Sequence, residues 1–125
     1  YPAVTILPFN FVNAKGKCPM FFELREYHCQ PGKRAEWVKL MDEEIIPYQI
    51  AKGMVITGSF VGTQDEDTYI WMRRFDSEEE RVELYKAVYE NDYWQKEMSP
   101  RIGDLLDRSK TKVTRLTATP KSVLR

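Results

Sequence analysis

The sequence predicts one small α+β domain in the order β-α-β-β-α-β, the ferredoxin-like plan of an antiparallel sheet with its helices on one face. Three observations predict it. Aromatic and β-branched runs alternate with stretches whose apolar residues recur every three or four positions. Turn-forming residues, above all Gln30-Pro31-Gly32 and Asp76-Ser77, separate those runs. A length of 125 residues gives room for one core and none for a second domain.

Residues 21–29 are rich in aromatic side chains and end at Pro31-Gly32, which defines the first strand. Across residues 33–50, Trp37, Leu40, Met41, Ile45 and Tyr48 fall on one helical face, and Asp42, Glu43 and Glu44 lie off it. Pro47 is expected to kink or end that helix, because proline lacks the amide donor and crowds the preceding turn. Residues 54–63 return to a β-favouring composition, with Gly58 marking a bulge. A polar hairpin loop follows, and then a strand over Thr68–Phe75. Ser77 and Glu80 have capping-box spacing at the start of the next helix, whose buried stripe is Leu84, Tyr85, Val88 and Tyr89. A shorter helical segment carries Trp94, Met98, Ile102 and Leu105, made irregular by Pro100 and Gly103. Residues 111–118 form the last strand. On this reading residues 1–19 are an extension outside the core, 20–118 the domain, and 119–125 a polar, mobile tail.

Side chains alternate across a strand, so Phe22 and Leu24 share one face and Glu23, Arg25 and Tyr27 the other. In the third strand Ile70 and Met72 oppose Tyr69, Trp71, Arg73 and Phe75. Helices pack on an apolar face, which assigns Phe22, Leu24, Ile70 and Met72 to the helix-covered core. The aromatic and charged face is then left open, and a second copy of the chain is the economical cover for it. Between two such sheets Glu23 would pair with Arg25 or Arg73, and the interior would be a pocket candidate.

Composition excludes several classes. With 19 basic and 19 acidic residues the chain lacks the electrostatic footprint of a nucleic-acid or anionic-membrane binder. The apolar stretch in residues 4–12 is interrupted by Pro8 and Asn10 and has no basic segment before it, so it reads as neither signal peptide nor membrane span. Cys18 and Cys29 lack metal-ligand spacing and make no disulfide framework, which suits a reducing, cytoplasmic compartment, although one bridge between them stays open. His28 is the only histidine, so no histidine cluster for a metal or haem exists; adjacent strand residues His28 and Cys29 point to opposite faces and form no dyad. Phosphate-cradling glycine loops and serine nucleophile motifs are absent. No cofactor and no metal are expected.

The segment Phe22-Glu23-Leu24-Arg25-Glu26-Tyr27 followed by Gln30-Pro31-Gly32-Lys33 resembles the opening of NIPSNAP-type domains. The segments from Trp71 to Arg81, Tyr93-Trp94 and Val113-Thr114-Arg115-Leu116 extend the likeness from residue 21 to about residue 118. The resemblance implies a dimeric α+β barrel, two ferredoxin-like sheets facing each other. It leaves the chemistry open, since the wider superfamily includes cofactor-free monooxygenases, isomerases, haem-handling enzymes and ligand-binding proteins.

Two functional readings follow. In the first, a homodimer binds a small organic molecule in its interior, with cofactor-free acid–base or monooxygenase-like chemistry. Arg25 and Arg73 would hold an anion, Glu23 or Tyr27 would move a proton, and Tyr69, Trp71 and Phe75 would line the pocket. In the second, the same residues are structural, an internal salt bridge and aromatic packing, within a non-enzymatic binding or protein-interaction module.

Overall fold

The computed structural model describes residues 20–125, so the extension over residues 1–19 and Cys18 lie outside the described residues. Four strands, β1 (Phe21–His28), β2 (Val55–Val61), β3 (Thr68–Phe75) and β4 (Lys112–Leu116), form one antiparallel sheet in the order β2-β3-β1-β4. The helices are α1 (Arg34–Leu40), α2 (Ile46–Ala51), α3 (Glu78–Tyr89) and α4 (Ser99–Leu105). This is the ferredoxin-like order read from the sequence. β3 has the bounds its composition indicated, and the register of β2 slips between Ile56 and Gly58, where the bulge was placed. Ser77 caps α3 by accepting a hydrogen bond from the Glu80 amide at 3.1 Å, while the Glu80 carboxylate reaches back to the Asp76 amide at 3.3 Å.

Pro47 does not end its helix. A π-helical turn over Met41–Ile45 joins α1 to α2, the Ile46 amide donating to the Met41 carbonyl five residues back. A second π turn, Tyr93–Met98, precedes α4, where the Ser99 amide donates to the Trp94 carbonyl. Each turn stands two residues before a proline, Pro47 and Pro100 respectively. The extra residue of a π turn shifts the carbonyl that the proline ring would otherwise strike, so the helix continues past it.

The helices cover the face opposite to the one expected. Glu23, Arg25, Tyr27, Tyr69, Trp71, Arg73 and Phe75 are buried beneath them, packed against Trp37, Met41, Ile45, Val88 and Met98. Leu24, Ile70 and Met72 lie on the open face and are half-buried, so their assignment to the helix-covered core is corrected; Phe22, on the same face, is buried. Volume and hydrogen bonding explain the outcome. Four large rings fill the layer between sheet and helices better than four shorter chains. The helices also bring Gln49, Tyr85 and Tyr89, which partner the charges that made this face look unfit for a core. Among the described residues an apolar face without helical cover survives this exchange, with new members. Val55 and Phe60 on β2 and Leu116 on β4 are 46%, 57% and 37% exposed and flank Leu24, Ile70 and Met72. The tail folds back toward this face, the Arg74 guanidinium donating to the Arg125 carbonyl at 2.9 Å.

Candidate functional site

β1 and β3 are the central strands, and their register sets Glu23 opposite Arg73 and Arg25 opposite Trp71. The four candidate polar residues therefore meet in one layer between sheet and helices. Glu23 Oε1 accepts from Arg73 Nη2 at 2.5 Å and from Arg25 Nη1 at 3.4 Å, and Glu23 Oε2 accepts from the Tyr85 hydroxyl at 2.5 Å. Arg25 Nε donates to the Tyr27 hydroxyl at 2.7 Å. Arg73 is wholly buried; its Nη1 donates to Gln49 Oε1 at 2.9 Å and to the Tyr89 hydroxyl at 2.6 Å, and its guanidinium lies 4.6 Å from the Trp71 ring centroid.

The electrostatics follow from these partners. Burial alone would raise the Glu23 carboxyl, but the charges of Arg73 and Arg25 and the Tyr85 hydrogen bond outweigh it and hold the group below its usual range, hence ionised. Desolvation works against the Arg73 charge, yet Tyr89, Glu23 and Tyr85 keep it firmly protonated. Burial pushes the Tyr85 phenol up, and the Tyr69 phenol up to about 12, so both hydroxyls stay protonated near neutral pH.

Beside this cluster a cavity of about 680 Å³ opens between the sheet and the helices. Arg25, Tyr27 and Trp71 supply its sheet wall, and Trp37, Met41, Ile45 and Gln49 its wall on the first helical arm. Tyr85, Tyr89, Trp94 and Ile102 close the side of the second arm, and Glu90, Gln95, Ser99, Arg108 and Thr111 form a polar rim. Both π turns contribute, Met41 and Ile45 from one and Trp94 and Gln95 from the other. Such turns concentrate at functional sites because they displace side chains from regular helical register. All three tryptophans of the chain stand on this wall.

Of the residues singled out in the sequence, Arg25, Tyr27 and Trp71 reach the cavity. Glu23 and Arg73 join the hydrogen-bonded cluster without reaching the wall, and Tyr69 and Phe75 are packed in the core. The pocket envisaged between two sheets is thus relocated to the space between sheet and helices. Trp37, Gln49, Tyr85, Tyr89 and Trp94 were not singled out as site residues, although Gln49 and the tyrosines fall on the inward stripes of their helices.

His28 stands apart, on the open face. Its Nδ1 is 3.2 Å from Asp67 Oδ2 and its Nε2 3.2 Å from Glu26 Oε2, so each ring nitrogen faces a carboxylate and the imidazolium satisfies both. Desolvation opposes the charge, but the Glu26 and Asp67 hydrogen bonds prevail and raise the group above 6.5. A raised value gives a contribution to stability that is complete below the unfolded value and is lost as pH rises through the folded one. The NMR titration of this sole histidine is expected to show its midpoint above 6.5, lowered by Glu26→Gln and by Asp67→Asn. A midpoint at or below 6.5 in the unsubstituted protein contradicts the pairing. The neighbouring Cys29 thiol is buried and pushed up to about 11 by desolvation, which makes it unreactive near neutral pH. Among the described residues no group of three or more histidine, cysteine or acidic side chains is placed to hold a metal, and no helix is long and apolar enough to cross a membrane.

Comparison with known proteins places this geometry. A search of proteins with curated descriptions finds no match. Among solved structures, a NIPSNAP family protein from Agrobacterium tumefaciens is 30% identical and superposes with a TM-score of 0.75, over 85% of this chain and 99% of the other. A second protein of that organism, described as a NIPSNAP family protein with unknown function, is 21% identical, with a TM-score of 0.76 over 86% and 95% of the two chains. An uncharacterized NIPSNAP-like domain protein from Burkholderia xenovorans is 20% identical, with a TM-score of 0.72 over 82% and 88%. The NIPSNAP family model matches residues 22–121. A match over most of the chain, carried by the strands and helices that build the charged cluster and the cavity, assigns the chain to the NIPSNAP family.

Proposed function

We propose that this chain is a homodimeric binding protein for a small organic molecule, held in the cavity between sheet and helices. The observation that carries the reading is a volume of about 680 Å³ with aromatic inner walls and a polar rim, a size typical of small-molecule sites. Dimerisation is supported by the open sheet face, where Phe60, Val55 and Leu116 surround Leu24, Ile70 and Met72.

Binding is favoured over acid–base catalysis. Glu23, the only carboxylate in the buried cluster, is held ionised by Arg73, Arg25 and Tyr85 and does not reach the cavity wall. A general base must come within hydrogen-bond reach of the substrate proton. Arg25 and Tyr27 remain as the polar groups of β1 on the wall, suited to orienting a bound molecule.

The three tryptophan indole N–H signals offer a direct test, since all three side chains line the cavity. A screen of bicyclic aromatic fragments by nitrogen–proton correlation NMR is expected to shift those signals saturably while leaving Phe60 and Met72 on the open face unmoved. Fragments that shift only open-face residues, or no fragment that binds, would contradict the reading.

A further inference from the structure

We infer that the ligand is an amphipathic aromatic compound, an apolar ring system seated against the inner wall of the cavity with a single polar end at its rim. This rests on the cavity being a binding site and goes beyond it by naming the ligand's chemical class and its orientation. The observation that carries it is how the polar groups of the inner wall are engaged. Arg25 Nε donates to the Tyr27 hydroxyl, and Arg25 Nη1 lies 3.4 Å from both Glu23 Oε1 and the Tyr85 hydroxyl. The Tyr85 hydroxyl itself donates to Glu23 Oε2. Gln49 accepts from Arg73 through Oε1 and donates to the Tyr89 hydroxyl through Nε2 at 3.3 Å. The indole nitrogens of Trp37 and Trp71 are sealed off, each with less than 1 Å² of accessible surface, so these rings show the cavity carbon alone. Arg25 and Tyr27 therefore orient a bound molecule by shape and ring contact rather than by donors held in reserve.

The rim differs in kind. Glu90, Gln95 and Arg108 are exposed, and Ser99 and Thr111 are half-buried. Arg108 spans part of it, Nη2 donating to the Ser99 carbonyl at 2.7 Å and to the Ser99 hydroxyl at 3.0 Å. Groups open to water exchange it for a ligand's polar substituent at little net cost. The same substituent carried to the inner wall gives up its water among side chains that are already hydrogen-bonded to one another, and that desolvation is uncompensated. One polar end is accommodated on these terms, and a second at the opposite end of the ring is not.

The test uses two probes on the unmodified full chain, followed through the indole signals: 2-naphthol, polar at one end, and 2,6-dihydroxynaphthalene, the same ring system polar at both. 2-Naphthol is expected to bind about tenfold or more tightly, the margin for burying one hydroxyl that gains no partner. Because the second hydroxyl also lowers the probe's general affinity for apolar surfaces, orientation is measured as well. Intermolecular nuclear Overhauser contacts should link the 2-naphthol protons beside the hydroxyl to the Thr111 methyl group on the rim. Those on the far ring should be linked to Met41 and Ile45 on the inner wall. Equal binding of the two probes, or a hydroxyl end in contact with Met41 and Ile45, overturns the inference while leaving the cavity as a binding site. Failure of both probes to saturate the indole shifts overturns the cavity reading and this inference together.

Discussion

Replacing Glu23 by glutamine is expected to destabilise the domain by about 3–5 kcal/mol, the range for removing one partner of a buried ion pair. The carboxylate answers two buried guanidiniums and the Tyr85 hydroxyl, and a neutral amide leaves both positive charges in a desolvated layer without their counter-charge. Chemical denaturation followed by circular dichroism measures the loss. The double substitution Glu23→Leu with Arg73→Met should recover only part of it, because it removes one of the two guanidiniums and leaves Arg25 buried without its counter-charge. A pH dependence accompanies the effect. Glu23 has a folded value below its unfolded one, so its contribution is complete above the ordinary carboxylate range and is lost as pH falls through the depressed value. The difference between native protein and Glu23→Gln should therefore shrink under acid. A loss below about 1 kcal/mol at neutral pH, typical of an exposed pair, would mean that the cluster is wet.

The second large effect concerns the open face. Leu24 and Met72 are directly opposed on β1 and β3 at its centre. Introducing aspartate at both positions is expected to weaken self-association by about 100-fold or more, since two charges per chain would have to enter an apolar contact. Sedimentation analysis should give the mass of two chains for the native protein and of one chain for the variant, with the same circular dichroism spectrum. The fold itself should tolerate the change, because both side chains are half-buried and lie away from the helices. A native protein that sediments as a single chain at micromolar concentration contradicts the proposed dimer.

The order of elements was legible because each depends on local pattern: turn residues after β1, capping-box spacing at Ser77, and a period of two in β3. The division of β1 and β3 into two faces was legible for the same reason. Which face meets the helices was not, because alternation states only which side chains travel together. The side with four aliphatic or phenylalanine residues seemed the better core until Gln49, Tyr85 and Tyr89 supplied partners for Glu23 and Arg73 from the helices. Pairings of that kind join residues up to 62 positions apart and leave no trace in a local window. The π turns were hidden for a related reason. Pro47 and Pro100 announce a disturbance of the helix, and whether it breaks or bulges depends on the packing of the residues before them. Arg25, Tyr27 and Trp71 were named from the sequence and stand on the cavity wall, whereas the cavity itself is a property of tertiary packing alone.

Crystals of the protein soaked with a bicyclic aromatic fragment test the placement of the site most directly. The account predicts density for the ring in the cavity between sheet and helices, against Tyr27 and Trp71. Density lying instead against Leu24 and Met72 on the open sheet face, with the space beside Arg25 filled only by solvent, would contradict it.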